Sequence, residues 1–138
     1  MKAVVLTISD SCYYKKRKDT SGQTLIRLLT KNGWAVSASQ IVPDEVTSIQ
    51  QQIRSFSDNG EIDLIVSTGG TGLGPRDVTP EAVRPLLERE VPGLSELMRL
   101  RGLEHTEFAA LSRSLAGVRR NTLILILPGS PKGATESL

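Results

Sequence analysis

The chain has few of the residues that mark several common classes of protein. Its single cysteine, Cys12, excludes an intrachain disulfide and fits a reducing cytoplasm. Its only histidine, His105, gives no basis for a histidine-centred triad or a zinc cluster. Aromatic residues make up only 4% of the chain and the net charge is +2, which together argue against a nucleic-acid-binding protein. No apolar run approaches the length of a membrane span, so no contact with a membrane is expected.

The composition is otherwise that of an ordinary globular domain. The 138 residues are 38% hydrophobic and 23% charged, which is enough to build a real core. No repeat, low-complexity segment or linker divides them, so we predict a single domain over residues 1–138. Met1 and Lys2 lead directly into a short apolar run, so we expect no signal peptide and a cytoplasmic location.

Apolar runs and helical periodicities alternate along the sequence. The runs that predict strands are Ala3 to Ile8, Trp34 to Val42, Ile62 to Val66 and Thr122 to Leu127. Helical spacing links Leu25, Leu28 and Leu29 before Gly33; Val46, Ile49, Ile53 and Phe56 before Asn59; Val83, Leu86, Leu87 and Val91; and a stretch from Leu94 to Ser114 with a break near Gly102. This alternation predicts an α/β fold, a mostly parallel sheet with helices on both faces in three layers.

Polar or turn-forming residues follow each of the four predicted strands, in the runs 9–11, 43–45, 68–77 and 128–132. In open α/β sheets, ligands bind beyond the carboxyl ends of the strands. Parallel strands would gather the four runs at one edge of the sheet. We therefore predict that this edge is the functional site.

The longest of these runs is a glycine-rich loop that begins at Thr68. Backbone N–H groups in such a loop are not screened by side chains, so they can cradle anionic oxygens, usually those of phosphates. The loop lacks the Gly-Lys-Ser/Thr ending of a P-loop, and segment 70–74 lacks the G-x-G-x-x-G spacing of dinucleotide-binding proteins. Thr79 and Pro80 predict the start of the next helix, as N-cap and first-turn proline. The simpler alternative is a turn that only reverses the chain.

Three carboxylates, those of Asp10, Asp44 and Asp77, are predicted at the same edge. Two of them, with phosphate oxygens and water, would suit Mg²⁺, which takes few protein carboxylates. Arg76 and Lys132 would neutralise charge at phosphorus. Each carboxylate also has a structural alternative: Asp44 as N-cap of the following helix, Asp10 as the cap of a turn, and Asp77 as a partner of a helix dipole. The basic run 15–18 is interpreted as a solvated loop, with a cationic lid over phosphates as the alternative.

The motifs resemble those of a known family. Thr68-Gly69-Gly70-Thr71-Gly72, followed by Pro75-Arg76-Asp77-Val78-Thr79-Pro80-Glu81-Ala82, is similar to the signature of the MogA/MoaB family of molybdenum-cofactor proteins, which includes the gephyrin G domain. Segments 9–11, 19–22, 43–45, 92–99, 110–113 and 127–133 agree with the family in order. The resemblance covers almost the whole chain.

The resemblance implies the family's α/β molybdopterin-binding fold, a homotrimer, and binding of molybdopterin, a pterin with a dithiolene and a terminal phosphate. It implies transfer of AMP from Mg-ATP to that phosphate, giving adenylyl-molybdopterin and pyrophosphate. The two essential family aspartates fall on Asp44 and Asp77, which would hold Mg²⁺ and the ATP phosphates. By the same correspondence, the substrate- and phosphate-binding residues are Ser9, Asp10, Thr68, Gly69, Gly70, Thr71, Gly72, Ser112, Gly129, Ser130 and Lys132.

Two other functions compete with the adenylyltransferase. A non-catalytic MoaB-like or gephyrin-like trimer would hold molybdopterin or a partner without turnover, but the presence of both Asp44 and Asp77 favours the enzyme. A generic phosphosugar or nucleotide hydrolase would cleave nucleotide with no pterin present. The resemblance further implies a molybdenum insertase of the MoeA type acting downstream, and it leads us to expect that residues 1–138 lack the family's last helix and strand.

Overall fold

The computed structural model describes residues 1–138, and its centre is a six-stranded sheet. The strands are β1 (Lys2–Ile8), β2 (Ala35–Val42), β3 (Leu64–Thr68), β4 (Arg89–Glu90), β5 (Leu115–Arg119) and β6 (Thr122–Leu127). They lie in the order β2-β1-β3-β6-β5-β4. The first four strands of that order are parallel, whereas β5 runs antiparallel to both of its neighbours.

Helices cover both faces of the sheet. They are α1 (Asp10–Tyr13), α2 (Thr20–Lys31), α3 (Val46–Ser57), α4 (Thr79–Val83), α5 (Pro92–Leu103) and α6 (Pro131–Ser137), with 3₁₀ turns at Arg84–Leu86 and Glu107–Leu111. Helices α3 and α4 pack on one face, and α2, α5 and α6 pack on the other. The predicted three-layer α/β fold with a mostly parallel sheet is confirmed. No helix combines the length and the apolar character that a bilayer span requires.

The continuous apolar runs follow from burial on both faces of the sheet. Val4 and Leu6 of β1 pack towards α3 and α4, whereas Ala3 and Val5 of the same strand pack towards α2 and α5. All four are fully buried. A strand covered by helices on both sides cannot alternate between apolar and polar residues, so it reads as an unbroken run.

The sequence-based prediction missed the two antiparallel strands. The helix expected across Val83–Val91 is wrong: α4 ends at Val83, and β4 follows a short 3₁₀ turn. Pro85 has no N–H to continue the helical ladder, which accounts for the early end. The long helical stretch expected up to Ser114 is also too long, since it ends at the 3₁₀ turn and β5 begins at Leu115.

Strand β5 contains a glycine at the point where the edge strand β4 approaches it closely. A Cβ at Gly117 would lie 2.7 Å from the carbonyl oxygen of Arg89 on β4 and 2.5 Å from Cδ1 of Leu87. Strands β5 and β6 are joined by only two residues, and Arg120 there has a positive φ of 51°. Two-residue hairpin loops favour such conformations and usually place Asn, Asp or Gly in them, so an arginine at this position gives little indication of the hairpin in the sequence.

A candidate active site at the carboxyl edge of the sheet

The carboxyl ends of β1, β2, β3 and β6 meet at one edge, where they enclose a cleft of about 550 Å³. Eight of the predicted site residues line it: Ser9, Asp44, Thr68, Gly69, Gly70, Asp77, Gly129 and Ser130. These residues come from four separate segments of the chain. The structure therefore brings the four polar segments together at one edge of the sheet, as the parallel arrangement of the strands predicts.

The glycine loop can follow its path only because Gly69 has no side chain. Its φ is +103°, and a Cβ there would overlap the carbonyl oxygen of Ile8 at the end of β1. Its N–H donates to the Leu127 carbonyl at 3.2 Å, and its own carbonyl accepts the Thr79 hydroxyl at 2.9 Å. The loop is thus hydrogen-bonded to β6 and to α4 and packs closely against the end of β1.

Replacing Gly69 by Ala is expected to destabilise the protein by about 2–4 kcal/mol, because a positive φ and a clash with backbone are combined. Denaturant unfolding measures this cost. Gly93→Ala is the matched control, since Gly93 has open space around it and lies in the first turn of α5. The control should change stability by less than about 1 kcal/mol. Equal stabilities of the two variants would contradict a sterically required Gly69.

Four consecutive amides of the loop have no partner within the protein. The N–H groups of Gly70, Thr71, Gly72 and Leu73 donate no hydrogen bond to backbone or side chain. Backbone donors are normally paired unless they face water or a ligand. Such a row of free donors after a strand can bind the oxygens of a phosphate.

The start of α4 differs in detail from the expected cap. Val78 takes the N-cap position without a side-chain cap, and Thr79 lies one residue further on, with Pro80 in the first turn as expected. The Thr79 hydroxyl instead donates to the Gly69 carbonyl, and its N–H donates to the Gly70 carbonyl at 3.1 Å. Thr79 therefore stabilises the loop rather than the helix end.

Asp10 and Asp44 are joined across the ends of β1 and β2, because the backbone N–H of each residue donates to the carboxylate of the other. The Asp10 N–H donates to Asp44 Oδ2 at 2.9 Å, and the Asp44 N–H donates to Asp10 Oδ1 at 3.0 Å. The N-cap of α3 is Glu45, which makes no side-chain cap, so the capping alternative for Asp44 is wrong. Burial raises the pKa of Asp44 above its ordinary value, and the nearby Asp10 and Asp77 charges add to this.

Asp77 lies on the loop itself and is not a helix cap. Its Oδ2 accepts the Gly74 N–H at 2.9 Å, which closes a small turn, and the N-cap of α4 is the next residue, Val78. The other oxygens of the two predicted metal ligands, Asp44 Oδ1 and Asp77 Oδ1, accept no hydrogen bond. In each carboxylate, one oxygen is therefore hydrogen-bonded within the protein and the other is free to bind a metal ion.

The donor set fits Mg²⁺ better than a metal held entirely by protein. No group of three or more Asp, Glu, His or Cys side chains is arranged to hold an ion. Mg²⁺ is commonly bound by one or two carboxylates together with water and substrate phosphates. Two carboxylates with a free oxygen each, beside a phosphate-binding loop, are such a set.

Arg76 is engaged at the rim of the cleft. Its guanidinium binds the Asp10 carboxylate with two nitrogens, Nε to Oδ2 at 3.0 Å and Nη2 to Oδ1 at 3.1 Å. This pair connects the glycine loop to α1. Ser9, not Asp10, caps α1, because the Ser9 hydroxyl accepts the Cys12 N–H.

The opposite wall of the cleft is built by residues that sequence reasoning did not assign a role. Asp19 caps α2 by accepting the Gly22 N–H at 2.9 Å, and its second oxygen accepts the Thr7 hydroxyl at 2.8 Å. Ser21 donates to the Gly129 carbonyl at 2.6 Å. Asp19 belongs to a segment noted only for its family resemblance, and the long-range contact to Thr7 leaves no local signal.

Three of the predicted site residues on the cleft wall also have structural partners. The Thr68 hydroxyl donates to the Pro128 carbonyl at 2.5 Å. The Ser130 hydroxyl accepts the Gly133 N–H at 2.9 Å and caps α6. Gly129 lies against Gly69, since a Cβ there would be 3.3 Å from the Gly69 Cα. Their predicted roles in binding stay predictions.

The remaining predicted residues lie outside the main cleft. Ser112 lines a smaller neighbouring groove of about 170 Å³, which it shares with Ser130. The side chain of Thr71 and the Cα of Gly72 do not line the cleft, and Arg113 binds the carbonyl oxygens of both residues. The Lys132 side chain is 77% exposed and lines neither the cleft nor the groove, and its Nζ lies 3.9 Å from Oε1 of Glu136, a residue that lines the groove.

Comparison with known proteins agrees with this geometry. Residues 4–138 match the family model described as a probable molybdopterin-binding domain. The chain belongs to this molybdopterin-binding family. It is 37% identical to a molybdopterin adenylyltransferase of Helicobacter pylori, over 97% of this chain and 77% of that protein.

Other members of the molybdopterin-binding family differ greatly in length. The chain is 50% identical to the molybdenum cofactor synthesis protein cinnamon of Drosophila melanogaster, over 96% of this chain but only 22% of the relative. It therefore spans about a fifth of that protein. Among solved structures, the molybdopterin biosynthesis enzyme MoaB of Thermus thermophilus superposes with a TM-score of 0.93 at 53% identity, covering 99% of this chain and 86% of that one.

Proposed function

We propose that the protein acts in molybdenum cofactor biosynthesis as a molybdopterin adenylyltransferase. The observation that carries this proposal is the pair Asp44 and Asp77, each with a free carboxylate oxygen, beside a glycine loop with a row of unpaired amides. The names of family members, such as the molybdopterin adenylyltransferase of Helicobacter pylori, support the same reaction. The proposed substrates are ATP and molybdopterin.

In the proposed reaction, an oxygen of the terminal phosphate of molybdopterin attacks the α-phosphorus of ATP. A new bond forms between that oxygen and the α-phosphorus, and the bond from the α-phosphorus to the bridging oxygen breaks. Pyrophosphate leaves with the bond electrons, and adenylyl-molybdopterin remains. No oxidant or reductant is needed.

The chain's own residues would bind and orient the phosphates. The free amides of Gly70 to Leu73 would donate to phosphate oxygens, as glycine loops do in other phosphate sites. Asp44 and Asp77 would hold Mg²⁺, which when bound neutralises phosphate charge and favours departure of pyrophosphate. Positioning and electrostatic stabilisation of this kind supply most of the catalysis in phosphoryl-transfer enzymes.

The cleft and the smaller groove share a wall. Ser130 lines both the cleft of about 550 Å³ and the smaller groove, and Ser112 lines the groove. We propose that the phosphates bind in the cleft and that Ser112 and Ser130 line the part of the site that contacts molybdopterin. The shared wall would bring the two reacting phosphates together.

A product assay tests the proposal. The protein is incubated with ATP, Mg²⁺ and molybdopterin, and the products are separated by chromatography. Adenylyl-molybdopterin and pyrophosphate that appear only with all three components would support the adenylyltransferase. Retained molybdopterin without product would favour the non-catalytic binding module, and ATP cleavage without pterin would favour a hydrolase.

We further propose that the protein is a cytoplasmic homotrimer whose product is used by a MoeA-type insertase. The outer side of α5 and the turn after it expose large apolar side chains: Leu97, Leu100, Leu103, Phe108 and Leu111. Phe108 is 70% exposed and Leu100 is 61% exposed. Contiguous exposed apolar residues of this kind mark association surfaces.

Leu100→Asp is expected to convert a three-chain assembly into single chains without unfolding them, because Leu100 is exposed within the chain. Light scattering after size-exclusion chromatography measures the mass. Val46→Asp is the matched control, since Val46 is exposed at the start of α3 on the opposite face. A single-chain mass for the unmodified protein would refute the trimer, and an unchanged trimer in Leu100→Asp would refute this surface.

A further inference from the structure

Arg113 forms several hydrogen bonds to the carbonyl oxygens of the glycine loop. It lies between the second 3₁₀ turn and β5, and its side chain is 33% exposed. Its backbone N–H donates to the Thr71 carbonyl at 3.0 Å, and its Nε donates to the Gly72 carbonyl at 3.0 Å. A third contact, from Nη2, reaches the Asp77 carbonyl at 2.6 Å. Nothing in the proposed reaction accounts for these contacts.

The same guanidinium also forms an ion pair with Glu81 of α4 through Nη1. All three of its nitrogens are therefore engaged, two of them on backbone carbonyls of one loop. Arginine suits this role because its donors form a rigid planar fork, whereas lysine offers a single flexible ammonium group. Replacing this arginine by lysine would not preserve the set of contacts.

These contacts fix the direction of two unpaired amides. In a trans peptide, the carbonyl of one residue and the N–H of the next point in opposite directions, and the chain has no cis peptide bonds. Because the Thr71 and Gly72 carbonyls bind Arg113, the N–H groups of Gly72 and Leu73 point away from it. These two are among the four loop amides without a partner.

We propose that Arg113 is a positioning residue that holds segment 71–77 in its phosphate-binding conformation. Its backbone N–H binds the Thr71 carbonyl and its side chain binds the Gly72 carbonyl, so that the amides of Gly72 and Leu73 are presented to the nucleotide phosphates. Through the Asp77 carbonyl it also fixes the residue whose carboxylate is the proposed metal ligand. This inference rests on the proposed function, and it assigns Arg113 to the nucleotide half of the site.

The test compares Arg113→Met, Arg113→Lys and Glu81→Gln with the unmodified protein. The methionine variant keeps an apolar stem and the backbone N–H but loses all three guanidinium nitrogens, and the lysine variant keeps the charge and loses the fork. Glu81→Gln is the matched control, because it removes only the charge of the ion-pair partner and leaves the three carbonyl contacts in place. The kinetic readouts are kcat and KM for Mg-ATP and for molybdopterin.

Arg113→Met is expected to lower kcat/KM for Mg-ATP by about 100-fold, the size of effect that small misplacements of a reacting group produce. KM for molybdopterin should change less than about twofold, well below the tenfold scale of a lost binding contact. The lysine variant should resemble the methionine variant, and Glu81→Gln should stay close to the unmodified protein. A rise in KM for molybdopterin as large as the rise in KM for Mg-ATP, or full activity of Arg113→Lys, would overturn the proposal.

Hydrogen exchange separates failure of this proposal from failure of the proposed function, because it needs no turnover. The amides of Gly74, Asp77 and Thr79 are hydrogen-bonded within the loop region. In Arg113→Met they should exchange faster, while the amides of β3 and β6 should keep their protection. Unchanged exchange at these three amides would overturn the positioning role even in a protein without adenylyl transfer.

Discussion

Asp77→Asn is expected to reduce adenylyl transfer by about 100- to 1,000-fold, the size of effect seen when one group that stabilises transition-state charge is removed. The substitution removes a negative charge from the proposed Mg²⁺ site. It leaves the fold intact, because the asparagine oxygen can still accept the Gly74 N–H that Asp77 Oδ2 accepts at 2.9 Å. The expected result is therefore loss of turnover without loss of structure.

Initial rates with Mg-ATP and molybdopterin, together with thermal unfolding, measure both parts of this expectation. Asp63→Asn is the matched control, because Asp63 lies just before β3, at the opposite end of the strand from the cleft, and binds only the Lys2 N–H by its side chain. The control should have normal rates. Unchanged turnover in Asp77→Asn would refute the metal-binding role of Asp77.

Asp44→Asn is expected to abolish activity to a similar extent, but with a different effect on stability. The pKa of Asp44 is raised chiefly by burial, and the Asp10 and Asp77 charges raise it further. A carboxyl group whose pKa is higher in the folded state than in the unfolded state loses stabilising effect as pH rises through its folded pKa. At neutral pH the ionised Asp44 therefore costs stability when no metal is bound, and Asn removes that cost.

We expect metal-free Asp44→Asn to be as stable as the unmodified protein at pH 7, or more stable. The difference should shrink as pH falls towards the ordinary Asp pKa of 3.8, because both side chains are then neutral. Denaturant unfolding between pH 4 and pH 7 measures this trend. Mg²⁺ should raise the stability of the unmodified protein and have little effect on the variant.

A large loss of stability in Asp44→Asn, with normal activity, would contradict this account. It would identify Asp44 as a structural residue whose main role is the exchange of hydrogen bonds with Asp10 at the end of β2. In the present account, by contrast, the ionised Asp44 lowers the stability of the metal-free protein. Active sites commonly contain destabilising groups of this kind because the reaction needs them.

The parallel half of the sheet could be predicted because its strands are strongly marked. Buried runs such as Val4 to Leu6 and Leu64 to Val66 contain no polar residue, and turn-forming residues follow the end of each strand. Parallel pairing then dictates that Asp10, Asp44 and Asp77 lie at one edge. The location of the site follows from those two facts.

The antiparallel half could not be predicted in the same way. Strand β4 has only two residues, and both are exposed. Strand β5 contains Gly117, whose missing side chain is explained only by the close approach of β4. When tertiary contacts determine the residues of a strand, the local sequence gives little indication of that strand.

The supporting contacts of the site were also beyond sequence reasoning. Arg113 lies 36 residues after Asp77 along the chain and binds its backbone carbonyl, for which any residue would serve as acceptor. The pairing of Arg76 with Asp10 spans 66 residues. Such contacts depend on where the sheet brings the loops, and no motif spacing records them.

The central claim is most directly tested by following the phosphorus atoms of ATP. The protein is incubated with Mg²⁺, molybdopterin and ATP labelled either at the α-phosphorus or at the γ-phosphorus. Adenylyl transfer predicts that the α-label appears on molybdopterin and that the γ-label is released in pyrophosphate. Label from the γ-phosphorus on the pterin, or release of the α-label with no pterin adduct, would contradict the account.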